Sequence, residues 1–371
     1  MKNPFGQVLF ISFSLFLPLL SSPANAAEGS GTNLSEEQKL EKRLLFNQYV
    51  EDELARKERE KYQKKAAAQP EQKEKQMWIS RITSAYGYDS NANLDSSRRG
   101  DFYLQETFEG DFKIDRPVFK PLIWPGKIGI GWNSELIHYN SYGSLTSHIT
   151  TVSAYTEEKL NDKLTLKLNY DFSVVRYLTN DQLDYAGHKF KPTVTYLISQ
   201  HFSHSVYASI GAKNFRDRKS STPNNLLTDD NRRDWDAEAG YGLKWTPSQT
   251  TFIGVNTGVK MNRSNDAFND YNDYAGYKLG GYIYRKLDDR FSLVAFTGYD
   301  HKDYDSRAFV KVPGELGIEK DDFYYVGGYF YYDINPHWQA NLSYLYKENI
   351  SSDASQDYTG WILSSGLALI F

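Results

Sequence analysis

The sequence predicts an all-β membrane fold: an antiparallel transmembrane β-barrel of about fourteen strands, preceded by a short charged helix. Three observations predict it. From Trp78 to the last residue, apolar and polar side chains alternate with period 2. The alternation falls into roughly fourteen runs, each near the ~10 residues that span a bilayer when tilted. The chain is 15% aromatic with 29 Tyr, a residue type that favours membrane–water interfaces.

The 371 residues divide into three parts. Residues 1–26 have the form of a removable secretory signal: Lys2, an apolar stretch from Val8 to Leu20, and Ala24-Asn25-Ala26 as an A-x-A cleavage site. Residues 27–76 form a charged segment. Within it the pattern predicts a helix over 34–68, with Ser35 as N-cap, a ragged apolar stripe (Leu40, Leu44, Leu45, Tyr49, Leu54) and Pro70 beyond its end. Such a charge pattern fits a solvated periplasmic tether, or a helix that docks a periplasmic protein partner. Residues 77–371 form the barrel. The chain contains no Cys, so its stability rests on a core or a closed sheet rather than on disulfides. Mean hydropathy is −0.62, and after the signal no apolar run is long enough for a membrane helix. A net charge of −4 argues against nucleic acid as a partner.

The strand-like runs centre on 78–89, 101–114, 127–140, 147–158, 163–177, 185–198, 204–215, 233–246, 250–262, 273–286, 290–303, 322–333, 337–348 and 358–371. In the second, Phe102, Leu104, Phe108 and Phe112 oppose Tyr103, Gln105, Thr107, Glu109, Asp111 and Lys113, with Glu106 as the exception on the apolar face. Short connections such as Thr246-Pro247-Ser248-Gln249 and Asn335-Pro336 alternate with long ones. The long ones are read as Asp89 to Gly100, Arg216 to Arg232, Arg263 to Asn272 and Tyr304 to Asp321. Asp115 to Gly126 is long and proline-rich on what should be a short-turn side. A backbone in hydrocarbon leaves no edge unpaired, so a β-structure there closes on itself. The charges on the polar face are too costly for a dry sandwich core and fit a wet lumen.

That parity assigns the pore-lining charges. The basic ones are Arg81, Lys113, Lys167, Lys189, Lys191, Lys213, Lys244, Lys260, Lys278 and Lys347. The acidic ones are Glu109, Asp111, Glu135, Asp171, Asp236, Glu238 and Asp300. The modest basic excess predicts a mild preference for anions, against the alternative of cross-strand pairs without selectivity. Other Asp residues (Asp229, Asp230, Asp303, Asp305, Asp321, Asp322) are read as loop acidity. No catalytic group, metal or cofactor is implied. His201 and His204 share a short turn without Cys or helix to complete a metal site. The Asn265–Asp273 stretch lacks the calcium-loop pattern. His301, beside Asp300, Asp303 and Asp305, is the best of the weak acid–base candidates.

The last run ends Trp361, Leu363, Leu367, Leu369, Phe371, with Ser365 interrupting its apolar face. This resembles the C-terminal signature of bacterial outer-membrane proteins, which implies delivery by the barrel-assembly machinery to outer-membrane lipid. Tyr88-Asp89-Ser90-Asn91 closes the first run. It resembles the opening strand of bacterial barrels that include surface lipoprotein assembly modifiers and exopolysaccharide-associated barrels, which implies fourteen strands. The expected function is a bacterial outer-membrane channel for passage or export of polar solutes, anions or polysaccharide among them. The alternative is a non-conducting assembly or structural barrel whose helix docks a periplasmic partner.

Overall fold

The computed structural model describes residues 78–92, 94, 99–115, 126–179, 184–222, 224, 226–267, 272–312 and 315–371. The expected signal, the helix over 34–68 and the proline-rich connection lie outside the described residues. Fourteen strands follow one another along the chain. They are β1 (Trp78–Asp89), β2 (Asp101–Asp115), β3 (Gly126–Tyr139), β4 (Ser147–Lys159), β5 (Leu164–Tyr177), β6 (Tyr185–Ser199) and β7 (Phe202–Ser221). The chain continues with β8 (Leu227–Ser248), β9 (Thr251–Ser264), β10 (Tyr274–Lys286), β11 (Phe291–Val312), β12 (Glu315–Asp333), β13 (Trp338–Ser351) and β14 (Tyr358–Ile370). Each strand pairs antiparallel with its sequence neighbour, and β1 pairs with β14 from Arg81↔Ile370 to Asp89↔Ile362. The sheet is therefore a closed barrel in which every strand has two partners.

Successive residues of a strand point to opposite faces, so the register fixes two walls. The outer wall carries the exposed apolar side chains: Ile82, Phe102, Leu104, Val152, Val206, Ile210, Val255, Val259, Leu279, Val326 and Leu342 among them. Val259, on β9, is 62% exposed, a position that water would penalise and hydrocarbon favours. Aromatic rings bracket this band where β14 to β3 meet. Toward the long-connection end, Tyr88 packs on Phe102 and Trp361 with ring centroids 4.9 and 5.4 Å apart. Toward the end with the barrel's termini, Trp78 packs on Trp132 at 4.4 Å and on Phe112 at 6.4 Å.

Two of the long connections are corrected. Residues 216–221 belong to β7 and 304–312 to β11, and their hairpin partners β8 and β12 begin at Leu227 and Glu315. The segment Arg216-Asp217-Arg218-Lys219-Ser220-Ser221 has no apolar face, so alternation could not reveal it. A ladder whose two faces are both polar needs no hydrophobic period, only backbone pairing such as Lys219↔Asn231. For the same reason Asp229, Asp230, Asp303, Asp305, Asp321 and Asp322 stand in strands rather than loops.

The barrel closes on a polar clasp that involves Tyr88-Asp89-Ser90-Asn91. The Asp89 side chain is fully buried and accepts from Lys347 Nζ at 2.9 and 3.1 Å and from the Asn91 backbone N–H at 3.0 Å. Asn91 Nδ2 donates to the Thr359 carbonyl at 3.0 Å, and Ser90 Oγ accepts from the Trp361 N–H at 2.7 Å. Those bonds join the end of β1 to β13 and β14. Beyond the clasp the chain turns inward: Ala92 packs with Tyr103, Tyr139 and Leu145, and Leu94 with Phe323 and Tyr358. Leu94 adopts a left-handed φ of 52°, a conformation costly for Leu that this buried packing offsets.

Candidate functional site: the inner wall

Cross-strand pairing aligns the charged residues on the face opposite the apolar band. Arg81 stands across from Glu109, Asp171 across from Lys189, Glu238 across from Lys260, and Lys278 across from Asp300. Asp111, Lys113 and Glu135 occupy the same face on β2 and β3, opposite Gly131, Gly129 and Thr107. Lys167 and Lys191 fall there on β5 and β6, Lys213 and Lys244 on β7 and β8, and Lys347 on β13.

Contacts that skip a strand link this face into networks. The densest centres on Glu238. Its carboxylate accepts from Lys278 Nζ at 2.6 Å and from Tyr207 Oη at 2.5 Å. The Lys191 ammonium lies 4.7 Å from the centroid of the same Tyr207 ring, and Lys189 approaches Asp236 at 3.9 Å. Lys260 pairs with Asp300 at 2.7 Å. On β2 to β5, Asp111 accepts from Tyr155 Oη at 3.2 Å, with Lys167 over the ring at 5.1 Å. Asp171 accepts from Ser153 at 2.6 Å and Asn169 at 2.8 Å, and Glu135 from Gln105 at 2.5 Å. Near the barrel's termini Arg81 donates to Gln339 at 3.0 Å, which donates on to Asp333 at 2.8 Å. Lys213 and Lys244 stand over the rings of Tyr185 and Phe252. Charge-assisted bonds of this kind hold the side chains along the wall.

Glycine shapes the wall as well. Tyr103, Tyr155, Tyr207, Tyr282 and Tyr325 each lay the ring over a glycine of the adjoining strand, at Gly87, Gly129, Gly240, Gly254 and Gly298 respectively. A Cβ at any of these glycines would collide with the ring. The rings thus lie against the sheet and cover its backbone. Gly240→Val is expected to lift Tyr207 off the wall and break its bond to Glu238. A loss of about 1–3 kcal/mol follows from such overpacking, seen as a lower urea midpoint of the folded barrel.

The inner face of β9 to β14 is different. Tyr284, Val294, Phe296, Tyr331 and Leu345 form a buried cluster, with Phe252, Tyr282, Tyr325, Tyr329 and Ile362 packed against it. These strands add this buried aromatic cluster to the charges Lys260, Lys278, Asp300 and Lys347 that they also carry inward.

No family model matches the chain, and no curated protein matches it. Among solved structures it is similar to a bacterial polysaccharide outer membrane secretin, at 8% identity and TM-score 0.42 over 79% of this chain and 98% of that one. It is similar to outer-membrane expressed OmpT of Vibrio cholerae, at 9% identity and TM-score 0.40 over 79% and 97%. It is also similar to the CymD monoaromatic hydrocarbon channel, at 10% identity and TM-score 0.42 over 79% and 88%.

Several readings of single residues are corrected by the strand geometry. His301 faces outward and bonds Asp322 Oδ1 through Nδ1 at 2.8 Å, not Asp300, Asp303 or Asp305. Asp300 turns inward to Lys260, Asp303 pairs with Lys320 at 2.9 Å, and Asp305 with Arg263. His301 and Asp322 are register partners, which sequence proximity could not show. His201 lies in the turn and contacts the Thr246 carbonyl at 2.9 Å. His204 belongs to β7, its ring between Tyr196 and Tyr241. Trp361, Leu367 and Leu369 lie on the outer face of β14, and Phe371 follows it, 54% exposed. The inward charges missed in the sequence include Asp89, Lys302 and Asp333, all at most 5% exposed. Asp89 and Asp333 end strands, where they read as turn residues, and Lys302 lies among acidic neighbours taken as the start of a loop.

Proposed function

We propose that the barrel spans a bacterial outer membrane and serves as a channel for polar solutes, with a mild preference for anions. One observation carries the reading: the outer face is an apolar band between aromatic rings, while the inner face carries networked charge. Fourteen strands about 4.8 Å apart and tilted by about 40° enclose roughly 25–30 Å between opposing backbones. That span exceeds two long side chains end to end, so a wall whose Tyr rings lie flat leaves space for water. The lysines of β5 to β8 supply the anion preference, standing beside aromatic rings and carboxylates that also hydrogen-bond sugars or other hydroxylated solutes. The proposed partner in reaching the membrane is the barrel-assembly machinery, a reading supported by the outward Trp361, Leu367 and Leu369 of β14.

The buried cluster around Phe296 and Tyr331 favours a second reading, a barrel partly filled along one arc that serves as an assembly or structural element. Conductance in planar bilayers decides between them. The channel reading expects discrete current steps and, under a salt gradient, a reversal potential displaced toward the anion. A membrane-inserted barrel that gives no steps supports the filled alternative, and a clear cation preference overturns the anion assignment.

A further inference from the structure

The apolar band is broken on one side. On β7 and β9 the outward residues between the girdles are apolar or small: Val206, Ala208, Ile210 and Ala212, then Ile253, Val255, Val259 and Met261, with Thr257 the one polar member. Across β14 to β4 the same level holds Ser365, Ser84, Glu106, Ser134 and Thr150. Glu106 is exposed, flanked along β2 by Leu104 and Phe108. It lies between the ring cluster of Tyr88, Phe102 and Trp361 and that of Trp78, Phe112 and Trp132. Glu106, Ser84 and Ser365 make no side-chain bond among the described residues.

A carboxylate facing hydrocarbon is destabilising, and such groups in membranes ordinarily find a protein partner. The neighbouring surface is the complement of that carboxylate. Ser134 Oγ bonds His148 Nε2 at 2.8 Å and lies 3.3 Å from Thr150 Oγ1, which itself is 3.4 Å from His148. Register places Glu106, Leu136, His148 and Arg176 on one row across β2 to β5, with His138 beside His148. His138 and Arg176 are exposed and make no side-chain bond among the described residues. The patch carries its acid on β2 and its imidazole and guanidinium groups on β3 to β5.

We infer that this outer face, β1 to β5, is the interface with a second copy of the same chain in the membrane. A two-fold axis along the barrel, passing between β2 and β3, presents each Glu106 to the Ser134–Thr150–His148 cluster of the other copy. A patch that carries both halves of a complementary contact closes on itself as an isologous pair. Acyl chains offer Glu106 no donor, whereas a second copy offers three kinds. The inference rests on the membrane-spanning reading but not on conductance.

The chain has no Cys, so one introduced thiol reports without ambiguity. Ser134→Cys, near the proposed axis, and Val259→Cys, on the far side, are treated in native membranes with a short bis-maleimide. The expected result is a covalent dimer for Ser134→Cys and monomer for Val259→Cys. Adding Glu106→Leu to Ser134→Cys is expected to lower the dimer fraction about tenfold, the scale of losing polar contacts between membrane segments. Leu also suits a lipid-facing position, so heat-modifiable gel mobility, which reports the folded barrel, is expected to persist. Monomer only, equal dimer from both thiols, an adduct of a size other than two chains, or dimer undiminished by Glu106→Leu would each overturn the pairing. Soluble, detergent-independent protein would instead overturn the membrane reading.

Discussion

Replacing Asp89 with Ala is expected to destabilise the folded barrel by about 3–5 kcal/mol, the cost of leaving a buried charge without its partner. Lys347 is 4% exposed and its ammonium sits 2.9 and 3.1 Å from the two Asp89 oxygens. Removing the carboxylate takes from that ammonium its bonds to Asp89 and also releases the Asn91 N–H from Asp89 Oδ1. The loss falls at the seam between first and last strands, the pairing with the largest sequence separation in the sheet. It is a contact that joins the two ends of the sheet, so unfolding from the seam should accelerate. Urea titration of the barrel in lipid vesicles measures the loss, and heat-modifiable mobility reports whether the seam still closes. The double variant Asp89→Leu with Lys347→Met is expected to recover much of the stability, because apolar residues of similar volume tolerate the site that one orphaned charge does not. An unchanged midpoint in Asp89→Ala would mean the clasp contributes nothing to closure.

The strands were legible where one face is wet and the other apolar. The run Trp235, Ala237, Ala239, Tyr241, Leu243, Trp245 is an example, because its period follows directly from the solvents on its two sides. They were illegible where both faces are polar, as in residues 216–221, and where the alternation is broken by a run of mixed residues and a register shift, as in 304–312. Partner choice was illegible for another reason. Lys278 reaches Glu238 two strands away and Lys347 reaches Asp89 at a separation of 258 positions. Such choices depend on register and curvature, which emerge only when the sheet closes. The same limit misassigned His301, whose acid is its cross-strand partner Asp322 and not any of the nearer aspartates. Glu106 was visible as an irregularity on the apolar face, but its place between two aromatic clusters needed the pairing of β14 to β3.

Reversing two lysines of β6, Lys189→Glu with Lys191→Glu, is expected to turn the proposed anion preference into a cation preference. Lys189 stands opposite Asp171 and 3.9 Å from Asp236, while Lys191 lies over the Tyr207 ring beside Glu238. With both reversed, carboxylates introduced on β6 would face Asp171 and Asp236, while Glu238 keeps its bond to Lys278. Two unit charges at 4 Å interact by about 4 kcal/mol at an effective dielectric near 20, so the local potential changes sign rather than merely weakening. In a lumen wider than a single file of ions the field acts through salt water, and its reach is the Debye length. That length is roughly 10 Å at 0.1 M and about 3 Å at 1 M salt. The reversal potential across a gradient near 0.1 M should therefore change sign in the double variant, while a gradient near 1 M should show little selectivity in either protein. The far wall supplies the control. Tyr331→Phe removes a hydroxyl from the aromatic arc without altering charge, and the same ion preference is expected. A reversal potential that stays put in the β6 variant, with conductance steps intact, would place the permeation path away from these lysines and leave their pairs with β8 a purely structural role.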